Sequence, residues 1–199
     1  NGEDCILLLQ VVLSGVFTGL VYGLVSLGLS VIWGVMDMVN FSHSDFMMIS
    51  MYITYFAYSL LGIDPLFSLP IIALIMFIIG IGTYYIIIRR IIGSEFVYQL
   101  LCTFGLVVFL QSLAQFLWTA NYKMIKKPIL LGSLSIAETY IPLSQVFAGL
   151  FSLLVGGFIW WFINKTKMGW ALQATAQNRL AAQLVGISIN RMFALSWGI

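Results

Sequence analysis

"PLFSLPIIALIMFIIGIGTYYIII", Pro65 to Ile88, runs for 24 residues without a charge. Asp64 stands at one end and Arg89-Arg90 at the other. The run exceeds the ~20 residues with which a helix crosses a hydrocarbon core about 30 Å thick. In lipid every backbone N–H and C=O must be paired within the segment, so a run of this kind reads as a transmembrane helix. A transmembrane β-barrel would instead show segments of about ten residues with period-two alternation, and none are present.

The rest of the chain repeats the pattern. Ile6–Met36, Phe46–Ile63, Phe96–Tyr122 and Thr139–Asn164 are also uncharged. Of 199 residues, 61% are hydrophobic and 8% charged, and mean hydropathy is +1.04. Soluble domains carry roughly 25% charged residues, so a water-soluble all-α domain has no surface to spare here. The expected fold class is all-α: a polytopic transmembrane bundle of about five spans plus the start of a sixth. Its membrane helices lie within 6–163. Met192–Ile199 is apolar but too short to span. With Asn1 in place of an initiator Met, this marks the chain as an expected fragment of a larger protein. Glu3 and Asp4 stand where a signal peptide would be basic.

A net charge of +2 does not suggest nucleic acid as a partner. Cys5 and Cys102 offer neither disulfide nor metal spacing. Lys and Arg are retained on the cytoplasmic side of membranes. With Arg89, Arg90, Lys165, Lys167, Arg179 and Arg191 placed inside, the N-terminus lies outside. Segments 37–45, 89–95 and 164–191 are then cytoplasmic, and 62–65 and 121–140 external. Lys123, Lys126 and Lys127 fall outside, three against six.

Ile6 to Val35 as one helix would measure about 45 Å, so tilt or a break must absorb the excess. Gly15, Gly19, Gly23, Ser26, Ser30 and Gly34 share a face of it. Small faces let helix backbones approach closely in lipid, so helix packing is expected at Gly15, Gly19 and Gly23. A solute path along this face is the sharper alternative. Gln99, Gln111 and Gln115 are polar within an apolar run, and Gln111 and Gln115 share a face. Interhelical hydrogen bonds and a polar path both fit them. Around Gly132-Ser133 a short hairpin is expected on the outer face.

"MGWALQATAQNRLAAQLVGISINR", Met168 to Arg191, is too polar to span. Leu172, Ala176, Leu180 and Leu184 recur every four residues, with Gln173, Gln177, Arg179 and Gln183 on other faces. Gly186 comes next, where a helix end often needs a left-handed residue. The pattern predicts an amphipathic helix over 169–186. It either lies in the interface or docks in a groove of a partner protein.

"NFSHSDF", Asn40 to Phe46, holds the only histidine and one of seven acids. A zinc site would need further ligands, and none are well placed. A serine–histidine protease would need Ser42 or another serine at His43, an oxyanion hole, and an elbow motif that is absent. A structural role fits better: Asn40, Ser42 or Ser44 caps a helix beginning near Asp45, whose carboxylate suits the positive end of the helix dipole. A functional role is compatible with it. Ionisable groups at membrane depth are costly and mark transport routes, and breaks between half-helices bind charged solute groups. Asn40, Phe41, His43, Asp45 and Gln111 are the candidate path residues, with no catalytic or metal site.

Two stretches together resemble a known family. "GLSVIWGVMDMVNFSHSDFMMISMY" is similar to the signature near the start of bacterial branched-chain amino acid ABC-transporter permeases of the LivH kind. Gly28, Leu29, Ile32, Gly34, Val35, Val39, Asn40, Phe41, His43 and Phe46 match it. "GWALQATAQNRLAAQLVGISINRMFAL" resembles the family's cytoplasmic segment, and "TFGLVVFLQ", Thr103 to Gln111, fits another. The resemblance runs from about Leu8 to the end. Ser44 stands where the family usually has Gly, and Asp45 where it has Glu. Asn178 and Leu180 replace common acids, which implies different contacts with the ATPase.

The resemblance implies residues 1–199 are a single transmembrane permease domain, incomplete at its C-terminal side, in a bacterial inner membrane. It implies pairing with a second permease subunit, two cytoplasmic ATPase subunits and a periplasmic substrate-binding protein. The 169–186 segment would be the coupling helix, acting through Leu172, Ala176, Gln177, Arg179, Leu180, Leu184 and Gly186. This chain would need no cofactor, ATP being bound by the partners; it lacks the Gly-rich phosphate loop with its Lys. The implied solute is a branched-chain amino acid or a related small polar molecule. Two alternatives from other classes are an intramembrane enzyme and a proton-coupled secondary transporter, both using His43 and Asp45.

Overall fold

A computed structural model describes residues 2–119, 121, 123–125, 129–130, 132–136 and 139–199. Helices dominate: α1 Gly2–Met36, α2 His43–Leu61, α3 Pro65–Ile86, α4 Phe96–Trp118, α5 Leu143–Lys165, α6 Lys167–Gln177, α7 Arg179–Leu184 and α8 Ile189–Gly198. A 3₁₀ turn, Ile88–Arg90, comes after α3. Strands β1 Ser133–Ile136 and β2 Thr139–Pro142 pair antiparallel.

Among the described residues, four helices are long and apolar enough to cross a membrane: Leu7–Met36, Pro65–Arg90, Phe96–Trp118 and Leu143–Lys165. The expected span over Phe46–Ile63 is the helix α2, but it is not one of the four. His43, Ser44, Asp45, Ser50, Thr54 and three tyrosines dilute its apolarity. The first run shows no break. At 35 residues, α1 is about 52 Å long. The expected hairpin forms, but its turn is not at Gly132-Ser133. Ser133 pairs with Pro142 and Ile136 with Thr139; the β-branched and aromatic Thr139-Tyr140-Ile141 supplies the second strand. The turn between them lies outside the described residues, as do Lys126 and Lys127.

Contacts divide the chain into two compact units. One comprises Asn1–Gly28 and Lys127–Gly169. Here α1 packs on α5, with the Phe17 ring against Gly149. Gln145 donates from Nε2 to the Ser14 carbonyl at 2.9 Å and to Thr18 Oγ1 at 2.7 Å. Gln10 Nε2 donates to the Tyr140 carbonyl at 2.9 Å. Gly15, Gly19 and Gly23 meet nothing: a Cβ on any of them would have no neighbour within 4 Å.

The second unit comprises Leu29–Lys126 and Trp170–Ile199. Its core includes Ile32, Val35, Met38, Ile72, Tyr84, Leu106, Leu172, Met192, Phe193 and Trp197. Asp64 starts α3 by accepting the Leu66 N–H at 3.0 Å, with Pro65 in the first turn, where its missing N–H costs nothing. α3 and α8 cross closely at Gly80. Tyr52 stacks on Trp118 at 4.6 Å between ring centroids, joining α2 to the end of α4.

The polar segment is not one helix. Asn178 is extended, at φ −156° and ψ 104°, and separates α6 from α7. Its Oδ1 accepts the Ala181 N–H at 3.0 Å, capping α7. An Asn side chain competes with the helical backbone for such bonds, so a cap forms where the four-residue repeat alone predicted continuity. The break divides the apolar stripe. Leu172 is 2% exposed, whereas Leu180 and Leu184 are 74% and 89% exposed.

Candidate functional site

The 40–46 stretch joins α1 to α2 inside the second unit. Asp37 ends α1 in the left-handed region, at φ +51°. Asn40 Oδ1 then accepts both the Ser42 N–H at 3.0 Å and the Ser42 hydroxyl at 2.7 Å. This Asx turn closes the link, and both residues are buried, at 4% and 0% exposure. α2 begins at His43, two residues before the expected Asp45. Ser42 occupies the N-cap position, but its hydroxyl does not cap; it is committed to Asn40.

The candidate path residues are separated by the turn of α2. Asn40, His43 and Phe46 line a small pocket with Met76 and Gly80 of α3 and Trp197 of α8. Asp45 is turned elsewhere, toward α4. Its Oδ1 accepts from Gln111 Nε2 at 2.9 Å, while Oδ2 is buried with no hydrogen-bond partner among the described residues. Asp45 is 5% exposed. Leaving a buried acceptor unsatisfied costs about 1–3 kcal/mol, more for a charged one. Phe41 is exposed and does not reach the pocket's lining. Gln111 thus makes an interhelical bond, and Gln99 bonds the Ser94 carbonyl at 2.9 Å.

Three further residues tie this junction to its surroundings, and the sequence pattern did not single out the first two for it. Asp37 forms an ion pair with Arg179 of α7, Nη2 to Oδ2, at 2.8 Å. Thr103 of α4 is fully buried; its hydroxyl lies 3.0 Å from the Leu100 carbonyl and 3.4 Å from that of Val39. Arg179, one of the candidate coupling residues, has its guanidinium between Asp37 and the Phe193 ring. Only the long-range pairing of an Asp with one of nine basic residues would have revealed this, and spacing carries no such signal.

At the far end of the polar segment, Gly186 has φ +86°. Its N–H donates to the Gln183 carbonyl at 2.9 Å and that of Ile187 to Ala182 at 3.0 Å. These are the two bonds of a Schellman stop. Ala176 and Gln177 are exposed. Among the described residues, no three His, Cys, Asp or Glu side chains come together as metal ligands.

A model of the family described as branched-chain amino acid transport system, permease component, matches residues 11–199. The chain belongs to this family. It is 27% identical, over 96% of its length, to the high-affinity branched-chain amino acid transport system permease protein BraD of Pseudomonas aeruginosa. It is 27% identical, over 99% of its length, to LivH of Salmonella typhimurium, a protein of the same description. With a probable branched-chain amino acid transport permease protein LivH of Methanocaldococcus jannaschii it shares 24% over 87%. It spans 66%, 68% and 56% of these relatives' own lengths. No solved structure matches it. The family is one of transport permeases, and with four membrane-crossing candidates the chain is an integral membrane protein. Membership favours the permease over the intramembrane enzyme and the proton-coupled carrier.

Proposed function

We propose that the chain forms part of the translocation path of an ATP-driven importer for branched-chain amino acids or a related small polar solute. The match of the permease family to residues 11–199 carries this reading. In it, the protein sits in a bacterial inner membrane, paired with a second permease subunit. A periplasmic binding protein delivers the solute, and two cytoplasmic ATPases supply the energy. ATP is bound by those partners, and this chain needs no cofactor. α2 is counted as a fifth span, with α8 opening a sixth.

The 169–186 segment is the dock for the ATPase. Leu180, Leu184 and Val185 support this, being 74%, 89% and 77% exposed. Apolar side chains on a short capped helix suit a groove on a partner protein. Asn40 and His43 contribute to the solute path through the pocket they line. Asp45 and Gln111 contribute by holding α2 against α4 behind that pocket, through the bond between their side chains. Small residues on the open face of α1 are a packing face for a further helix.

The test uses the full-length protein co-expressed with its ATPases and binding protein in membrane vesicles. ATP-dependent leucine uptake is expected, and Leu180→Glu with Leu184→Glu is expected to release the ATPase on purification. Solute transport by the full-length protein with no ATPase present overturns the reading.

A further inference from the structure

We propose that the Asp37–Arg179 ion pair is a strut through which the ATPase-facing segment moves the α1–α2 junction. This rests on the reading of 169–186 as the ATPase dock and adds a positioning role for one residue within it, Arg179, and one outside it, Asp37. Arg179 is the first residue of α7, directly after the Asn178 break. Its Nη2 lies 2.8 Å from Asp37 Oδ2, and its guanidinium carbon 5.3 Å from the centroid of the Phe193 ring. Phe193 is 3% exposed, so the guanidinium rests on a fixed support.

At the other end of the strut, Asp37 stands at φ +51°, a left-handed region that Asp and Asn enter more readily than other non-glycine residues. The residue that turns the chain there is also the one that holds Arg179. Folding stability does not account for the pair, because its side chains are 40% and 80% exposed and such ion pairs add little. What the pair does fix is the distance between α7 and the end of α1.

That distance is felt further along because the residues after Asp37 are tightly held. Met38 is 1% exposed, Asn40 4% and Ser42 0%, and the Asx turn locks Asn40 to Ser42. A link so buried and bonded passes displacement on with little slack. It leads into His43, at the pocket, and Asp45, at Gln111. A rotation of α7 driven from its Leu180–Leu184 side therefore reaches both halves of the candidate path through Asp37.

The test measures solute transported per ATP hydrolysed by the full-length transporter in proteoliposomes. Asp37→Asn keeps tolerance of the left-handed backbone and removes the charge; Asp37→Gly fits the same backbone and removes the whole side chain. Arg179→Gln removes the charge from the other partner. All three are expected to lower the ratio by up to about fivefold, the most that an exposed ion pair contributes, and the two Asp37 variants, which lie outside the docking segment, are expected to keep the ATPase on purification. Asp37→Asn combined with Arg179→Gln is expected to lower the ratio no further than either variant alone, since both remove the same pair. A wild-type ratio in Asp37→Asn, or a loss confined to one partner of the pair, overturns the strut. Retention of the ATPase by the Leu180→Glu, Leu184→Glu variant overturns the docking reading instead, whatever the strut variants do.

Discussion

Gly80 and Trp197 meet backbone to backbone. A Cβ on Gly80 would lie 2.7 Å from the Trp197 carbonyl oxygen, and one on Gly198 2.9 Å from the Phe77 ring. Lipid tails are as apolar as the side chains, so closeness of this kind, not exclusion of water, holds α3 to α8. Gly80→Ala is expected to destabilise the protein by about 1–3 kcal/mol, the usual cost of overpacking. Gly82→Ala, two positions along the same helix in open space, is the control and should leave the thermal midpoint in detergent unchanged or raise it, since Ala gains helix propensity.

Gly149 and Gly19 make the same contrast in the other unit. A methyl on Gly149 would sit 2.7 Å from the Phe17 ring and 3.1 Å from its Cα. Gly149→Ala should therefore cost about 1–3 kcal/mol. Gly19→Ala should cost nothing and can gain up to about 1 kcal/mol of helix propensity. Thermal unfolding of the two variants side by side checks this. Equal losses would mean that the α1 stripe is packed against something in the intact transporter.

Gln111→Ala leaves the buried Asp45 without its one hydrogen-bond donor. A loss of about 1–3 kcal/mol is expected. Asp45→Asn removes the charge yet can still pair with Gln111, so its loss should be smaller. Thermal midpoints rank the two, and the reverse order would show that the charge itself is held by something other than Gln111.

The break at Asn178 is open to a local measurement. Asn178→Ala removes the α7 cap and should cost that helix about 0.5–2 kcal/mol. Gly186→Ala forces a side chain into the left-handed region and should cost about 1–2 kcal/mol. Both variants should exchange backbone amides over 179–187 faster, with exchange in α3 unaltered.

Much of the architecture was legible because lipid enforces long uncharged runs, and Pro65–Ile88 needs no partner to be read as a helix. α2 was harder: its polar first turn makes sense only when Gln111 is found opposite Asp45. Gly186 announced its left-handed turn, since few residues other than glycine adopt it readily. Asn178 did not announce the break, because an Asn within an apolar repeat is compatible with a continuous helix until its side chain is seen to accept from Ala181. The face opposite Gly149 was invisible as well. Six small residues on α1 pointed to packing on that helix's other side, whereas its observed contact is made by the large Phe17. Asp37 with Arg179, 142 positions apart, lies beyond any local pattern.

Two apolar helices in a bilayer can slide along one another by a turn at small cost, since one greasy surface is much like the next. Gln145 and Gln10 remove that freedom for α1 and α5. Each inserts an amide into a bond with a particular partner, Ser14 and Thr18 for one and the Tyr140 carbonyl for the other. A shift of one turn, about 5.4 Å, would break both sets of bonds and leave the part-buried Gln145 amide without its partners. The two glutamines together set a single register between α1 and the hairpin–α5 side of the unit.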